Sequence, residues 1–510
     1  MKLFVCRKLL FFLVPALIFI QIANSQNITA KIVDSSTGES IPYANILVNN
    51  SESLISNAEG YFTLSENSSD SSTSLVVSYL GFVNNKLTVG ELKEQQLIIK
   101  LQAAIIELNE VAISNKKLSP NEIMANVKAN LERNYKKEGQ ATKDKIFIRT
   151  TTNFKPSKLD VEIEKSTGFS KEALKKANTQ LSAYTSKLPS QPPKEYTDVL
   201  CNYFTFKTQK DDKPYYLSKL DVIKATKLKN ENSSASLEEL QKSTRDIMLT
   251  HLDTSKYYRI KSGLFGSKDT LSLRKDFNQR KKKVKTNQLT TTKASLSSFL
   301  SETSLLNKKD LKFINDTEIY EYVYEGATYS NDYEFVYVLS FKPKKNRAIY
   351  TGKLYISESD FAVIRTEFSL AEGKKVSGFN MKLLLGVKTQ ENLSTGTLIF
   401  KKNPIGDGYY MHYAVKETGQ YIYLNRPLKF IELTDNEKDV VAFDMKIEAN
   451  TITKTEFLNI SRTETSEATI QKVAEDDFNF IMLKSYDPKI WKEYNAIEPI
   501  EEMKQFKSVY

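Results

Sequence analysis

Two cysteines, two histidines and one tryptophan among 510 residues leave little material for redox, metal or nucleophilic chemistry. Cys6 lies ahead of an apolar N-terminal run, so removal of that run leaves Cys201 alone and without a disulfide partner. A single cysteine in an oxidising compartment reads as a small buried hydrophobe rather than a nucleophile. His251 and His412 have no motif partners. A His-Glu-x-x-His helix, a Gly-x-Ser-x-Gly elbow and a P-loop are all absent. His251 stands beside Asp253 and Lys256 in a helix-end pattern, and His412 alternates with Met411 and Tyr413 as a sheet residue would. Neither has the companions a metal ligand needs. Glu367, Glu417 and Glu432 are not paired by sequence, so they do not define a glycosidase couple. The expectation is a protein that is not an enzyme and needs no cofactor or metal.

Long apolar runs are also scarce. The one near the start, Leu9 to Ile22, follows the cations Lys2, Arg7 and Lys8 and precedes Ala23-Asn24-Ser25. Residues 1–25 therefore read as a signal peptide with the mature chain starting at Gln26. The run falls short of the roughly 20 residues that cross a bilayer comfortably, although an uncleaved anchor is the alternative. Because Cys6 precedes the apolar core, it cannot become the acylated first residue of a lipoprotein. The expected address is export to the periplasm, with outer-membrane association left open.

The formal charge is +11, and loss of the three leader cations leaves +8. That balance permits weak attraction to anionic lipid or polysaccharide. Export and the scattering of the basic residues argue against nucleic acid. The dense run Arg280-Lys281-Lys282-Lys283-Val284-Lys285 is either a solvated loop or a binding patch. What the chain has in quantity is 27 tyrosines and 27 phenylalanines, residues suited to half-buried sheets.

Residues 26–103 alternate short β-runs with turns. Ile28, Ala30 and Ile32 share a strand face that stops at Asp34-Ser35-Ser36-Thr37-Gly38; Ala44 to Val48, Tyr61 to Leu64, Leu75 to Leu80 and Leu97 to Leu101 follow. Strands at this spacing without a helical period indicate a small sandwich, with Gly38, Gly60 and Gly81 reversing the chain. Asp34, Glu39, Glu59 and Asp70 are oxygen donors, but they fit no calcium loop and suit turn capping instead. The phrases DSSTGESIPYANILVNNSE, SNAEGYFTL and LVVSYLGF resemble the carboxypeptidase-like regulatory domain, a transthyretin-like module of exported proteins in Bacteroidota. That resemblance implies an accessory module and no peptidase activity.

Residues 104–118 read as a linker. Within it, Ile105 to Ile113 resembles the lead-in to the plug of a TonB-dependent transporter, but the remaining chain lacks the run of membrane strands such a receptor needs. Residues 119–312 form a helix-containing α+β middle region with a polar insertion. Ser119-Pro120-Asn121-Glu122 is a capping box, after which Ile123, Val127 and Leu131 stripe one helix face. Lys145 to Thr151 and Lys158 to Ile163 read as strands, Ser170 to Leu181 as a polar helix and Lys227 to Met248 as helical. Residues 267 to 300 are helical in part or a mobile insertion, with Leu289, Leu296 and Leu300 as anchors.

Residues 313–450 alternate with period two. Phe335, Tyr337, Leu339 and Phe341 share a face; Tyr350, Gly352, Leu354 and Ile356 follow, then Ala362, Ile364, Thr366, Phe368 and Leu370. Lys382 to Lys388, Thr395 to Lys401 and Tyr409 to Val415 continue an antiparallel meander of about eight strands, turned at Asn403 to Gly408. AIYTGKLYISESDFAVIRTEF resembles paired strands of the half-barrels of lipoprotein carriers and outer-membrane lipoprotein sorting proteins. If the resemblance holds, the concave face takes an acyl chain. Phe335, Tyr337, Leu339, Leu354, Ile356, Ile364 and Phe368 either line that groove or form a self-filled core. Residues 451–510 form a helical or irregular closing segment. There Trp491 and Tyr494 stand one turn apart to pin a short helix over the sheet, in a stretch resembling the closing segment of exported Bacteroidota proteins.

The expected fold is mainly β: an N-terminal transthyretin- or Ig-like sandwich, then an α+β body with a large curved antiparallel sheet. The expected role is a non-enzymatic envelope protein, a binding or structural scaffold in the periplasm or at the outer membrane. Its partners would be an envelope protein or a lipid or lipoprotein, with peripheral membrane association open and no nucleic acid. The alternatives are a periplasmic carrier or chaperone for lipid or lipoprotein, and a hydrolase with an unrecognised site.

Overall fold

The computed structural model describes residues 27–104, 118–136, 139–167, 170–190, 192–210, 213–229, 257–262, 265–272, 287–330, 334–433 and 440–506. The expected leader, most of the linker with its plug-like stretch, the helical pattern beyond residue 229, His251 and the basic run at 280–285 lie outside the described residues. Two compact units result: Met1–Ala103 with Asp487–Ile500, and Ala104–Tyr486 with Glu501–Tyr510.

In the first unit the strands are β1 (Ile28–Asp34), β2 (Asn45–Val48), β3 (Glu52–Ile55), β4 (Tyr61–Leu64), β5 (Ser74–Ser78), β6 (Asn85–Thr88) and β7 (Ile98–Leu101). They form a three-stranded sheet, β4-β1-β7, and a four-stranded sheet, β3-β2-β5-β6. Alternation sends Ile32, Ile46, Leu54, Phe62, Val77 and Ile99 inward, and all are essentially solvent-free in one shared core. Gly60, at φ +82°, reverses the chain where a Cβ would lie 2.9 Å from the Ile32 carbonyl, so a side chain there would clash. One element was not legible as a period: the short helix α1 (Val89–Glu94). A reciprocal capping box between Thr88 and Glu91 starts it, and it buries Val89 and Leu92.

The segment Asp487–Ile500 belongs to this sandwich unit, not to the late sheet that it was expected to cover. Polar complementarity places it. The Glu66 amide donates to the Lys492 carbonyl at 2.7 Å, and the Ser65 amide to Asn495 Oδ1 at 3.2 Å. Asn495 Nδ2 donates to Glu52 at 2.6 Å, Thr63 Oγ1 to Glu498, and Asn57 Nδ2 to the Pro499 carbonyl at 3.2 Å.

The second unit is built on one sheet. Its strands are β8 (Ala141–Ser166), β9 (Lys194–Lys210), β10 (Lys213–Lys229), β11 (Tyr257–Ser262), β12 (Phe265–Ser272), β13 (Tyr320–Tyr329), β14 (Phe335–Pro343) and β15 (Tyr350–Ser357). Then come β16 (Val363–Leu370), β17 (Ser377–Met381), β18 (Val387–Lys402), β19 (Tyr409–Glu432), β20 (Val440–Glu464) and β21 (Ile481–Leu483). The path runs β13-β14-β15-β16-β18-β19-β20-β8-β9-β10-β21, with the β11–β12 hairpin on β19 and β17 on β18. Pairing is antiparallel except between β10 and β21.

This order redraws the expected border at 312/313, because β20 of the late region pairs along nearly its whole length with β8 of the middle region. β20 also continues past residue 450 to Glu464. The two short strands read at 145–151 and 158–163 are one 26-residue strand, β8. Pro156, between those two stretches, sits beside a bulge opposite Glu448 and Ala449, where a missing amide is tolerated. Another difference is local: Lys382–Leu385, read as the start of a strand, is a helical turn.

Three longer helices serve the sheet: α2 (Pro120–Tyr135), α3 (Lys171–Thr185) and α4 (Gln288–Glu302). The capping box of Ser119 and Glu122 starts α2, whose Ile123, Met124, Val127 and Leu131 enter the main core. Its C-terminal end is fixed by Asn134 Nδ2 and the Tyr135 hydroxyl, donating to the carbonyls of Asp360 (3.0 Å) and Val363 (2.9 Å). Leu289 and Leu296 anchor α4 in the same core. At the core's centre Phe313 stacks on Phe341 at 4.4 Å between centroids, with Tyr350 edge-on to Phe313. α3 packs elsewhere, with Ala177 and Leu181 against Val161, Ile163, Phe430 and Phe443.

Candidate functional site

The apolar residues read from the late strands are in the packing. Leu339, Leu354 and Ile356 are fully buried, Phe368 and Tyr337 nearly so, and Phe335 and Ile364 lie partly buried against the same cluster. A bulge explains Ile364: Ile356 faces Val363 and Tyr355 faces Arg365, so Ile364 is the extra residue and Val363 takes the core position. Side chains from α2, α4 and Phe313 occupy the space these strands enclose. Of the seven residues read as groove or core, five belong to the buried core and Phe335 and Ile364 pack against it, while Phe368 also reaches an open cleft.

A polar cleft of about 480 Å³ opens on the sheet. Three long strands build its wall. Glu391 of β18 lies opposite Gln420 of β19, which lies opposite Thr451 of β20, so one row crosses three strands. Thr418 faces Thr453 in the next row on that face, and Lys416 is two residues further along β19. Glu302, the last residue of α4, and Asp310 come from outside the sheet, while Tyr350 and Phe368 bring the apolar core to the surface of the cleft.

The charges are held unequally. Burial alone would raise the Glu302 carboxyl, but Lys416 Nζ and Ser298 Oγ each donate to it at 2.8 Å and keep it below its ordinary value. Burial raises the Glu391 carboxyl; the field of Lys416 opposes this, and Glu302 and Asp310 add to it. The Tyr350 hydroxyl, within 3.1 Å of Ser394 Oγ, is raised by its own burial. The cleft therefore offers one paired carboxylate, a second that burial raises even though the Ser377 side chain hydrogen-bonds to it, and several hydroxyl and amide groups.

The other residues considered in sequence do not converge on it. His412 is fully buried in β19. Glu367 holds Arg365 at 2.7 Å, Glu417 faces Lys454 across β19 and β20, and Glu432 is buried at the end of β19. Asp34 and Asp70 cap turns: Asp34 accepts from the Ser36 hydroxyl and from the Ser36 and Thr37 amides, and Asp70 from the Ser72 amide and hydroxyl, and those bonds hold both carboxyls below their usual value. Among the described residues no group of three His, Cys, Asp or Glu side chains is placed to hold a metal. Cys201 is buried, and burial pushes its thiol up to about 12. Trp491 is buried in the first unit, 6.5 Å from Tyr494 between ring centroids. Sequence reasoning missed Glu302, Asp310, Glu391 and Lys416 because they lie on four separate segments and share no local motif.

The fold and cleft define a mainly β, two-unit protein with a polar hollow on a large sheet. Residues 28–113 match the CarboxypepD_reg-like domain model, so the first sandwich is a carboxypeptidase-regulatory-like domain. No curated protein matches the chain. Among solved structures, the MucA/MucB complex of Pseudomonas aeruginosa is 6% identical over 68% of this chain and 99% of that one, with a TM-score of 0.17. A second structure, MucB with MucA(peri), is 7% identical over 68% and 100%, with a TM-score of 0.15. An outer-membrane channel from Pseudomonas putida F1 is 7% identical over 64% and 97%, with a TM-score of 0.11. Scores this low establish no shared fold.

Proposed function

We propose that the protein is a non-catalytic scaffold of the cell envelope, and that its cleft receives a basic, hydrogen-bonding segment of a partner protein. One observation carries this reading: the apolar residues of the late strands are packed against their own helices, while the open hollow is polar and carries Glu302, Asp310 and Glu391 against Lys416. Acyl chains need a dry lining, and an amine or guanidinium needs carboxylates. The leader-like N-terminus supports export, and the regulatory-like sandwich supports a spacing or docking role in the periplasm or at the outer membrane. A lipid or lipoprotein carrier is the second reading, but of the residues read as its lining only Phe368 reaches the cleft, and the others pack in or against the core. A hydrolase is the third; it has no histidine in the cleft and no observation favours it.

Because the mature chain would carry a formal charge of +8, a basic ligand is repelled by the molecule as a whole and held only by a locally acidic site. Titration of the mature protein with a fluorescent lysine- and arginine-containing peptide should therefore saturate. Glu391→Lys should weaken that binding about tenfold or more, with an acidic peptide of equal length not bound. Saturable binding of a fluorescent fatty acid with no peptide binding would favour the carrier and defeat this reading.

A further inference from the structure

The segment after β16 exposes apolar side chains that the fold does not cover. Leu383 is 101% exposed and Leu384 76%, on the helical turn Lys382–Leu385; Phe379 of β17 is 50% exposed. These side chains are displayed by a fixed turn. Gly386, at φ +64°, closes it where a Cβ would overlap the Asn425 carbonyl, and the Asn425 amide donates to the Gly386 carbonyl at 2.7 Å. Two leucines held outward on a pinned turn are costly in water and serve nothing in the core.

Between Glu372 and Glu391 the segment itself is cationic. From Gly373 to Gln390 there are four lysines and no acidic residue, and from Gln420 to Phe430 on the neighbouring strand there are Arg426 and Lys429 and again none. Lys382 Nζ lies 4.0 Å over the Tyr423 ring, and Lys388 Nζ 5.3 Å over Tyr421. Acidic groups on β20 are already engaged: Glu448 accepts from the Tyr421 hydroxyl at 2.7 Å, and Asp444 holds Lys446 at 2.7 Å. An apolar tip with tyrosines and lysines set behind it matches the layering of a bilayer: acyl boundary, headgroup, anionic surface.

We infer that the turn Lys382–Leu385, with Phe379, inserts into the interface of an anionic lipid bilayer and that the surrounding lysines and Arg426 hold the headgroups. A second copy of the chain is the weaker occupant. A stable dimer buries about 800 Å² on each partner, far more than three apolar side chains supply, and lysines flanking β17 discourage edge-to-edge pairing. A small apolar foothold combined with clustered cations gives reversible membrane attachment.

The test is co-sedimentation of the full mature protein with vesicles of phosphatidylcholine mixed with phosphatidylglycerol, compared with phosphatidylcholine alone. Binding should require the anionic lipid and fall with salt. The double variant Leu383→Asp, Leu384→Asp should bind at least about tenfold more weakly, and Lys382→Gln about fivefold more weakly. All these positions are exposed, so an unchanged circular dichroism melt verifies folding. Absence of wild-type binding, or binding that the leucine double variant leaves intact, overturns the inference. So does sedimentation equilibrium showing a lipid-free dimer that the double variant dissociates, because a second copy would then cover the turn.

Discussion

At the scale of single residues, the second unit contains charges and rings placed where water does not reach. Arg149 of β8 and Asp198 of β9 form a two-pronged pair, with both nitrogen–oxygen distances 2.8 Å and both side chains almost fully buried. Arg462 of β20 grips Asp144 of β8 in the same manner, and Asn459 donates to that carboxylate as well. Such bonds select register across long strands, since a slip of one residue would leave a buried charge unpaired. His412 is a different case. Burial drives its imidazole well below its ordinary value of 6.5, and the nearby Lys401 charge adds to this. A contact with the Asn459 backbone opposes the shift without reaching hydrogen-bond geometry at either ring nitrogen. The unfolded chain therefore takes up a proton near pH 6.5 that the folded chain refuses. Stability is complete above that pH and declines as pH falls below it, by on the order of 1 kcal/mol per pH unit. Urea midpoints measured at pH 7.5, 6.5 and 5.5 should show this decline, and His412→Leu should flatten it. Equal slopes for both proteins would show that the imidazole is not the group responsible. The sheet position of His412 was legible from its alternation with Met411 and Tyr413. Its burial was not, because alternation alone does not tell a covered sheet face from an open one.

At the scale of elements, the capped and striped helices were the most legible parts. Ser119 to Leu131 contains both the start signal and the buried face of α2 within one short stretch. The tail was legible as a distinctive segment but not in its destination. Trp491 and Tyr494 mark a short turn by their spacing, whereas the groups that hold it, Glu52, Thr63, Ser65 and Glu66, lie more than 400 positions away. Asn495 is almost solvent-free and satisfies the Ser65 amide and Glu52 together. Asn495→Ala should therefore cost about 1–3 kcal/mol, since both partners lose a bond in a dry setting. Trp491 is the only tryptophan in the chain, so its fluorescence reports this element alone. Its emission should be blue-shifted in the native protein and move to the red at a lower urea concentration in Asn495→Ala than in wild type. The near-ultraviolet signal of the tyrosines, which are concentrated in the second unit, should keep its midpoint. A common shift of both probes would mean that the tail is not a local fastening of the sandwich unit.

At the scale of the whole molecule, the mainly β class and the early sandwich could be read because both rest on local alternation and turn chemistry. The large sheet could be recognised but not bounded. Residues 313–450 look self-sufficient in sequence, with strand following strand. Yet β20 crosses the 450 border, and its outer edge is occupied by β8 over nearly its full length. The core beneath β13 to β16 also takes Ile123, Val127 and Leu131 from α2 and Leu289 and Leu296 from α4. A fragment cut at 313 and 450 would expose that core, truncate β20 and leave long strands without their partner, the state in which sheet edges associate. It should be recovered only as aggregate or as a molten species that binds hydrophobic dye. A fragment spanning 118–486 keeps β8 to β10, both core helices and all of β20. It should give a cooperative urea transition, with Cys201 protected from thiol reagents until it unfolds, as a fully buried thiol raised to about 12 requires. A soluble, cooperatively folding 313–450 fragment would show that the late strands form a domain by themselves, and the single-sheet account of the second unit would then fail.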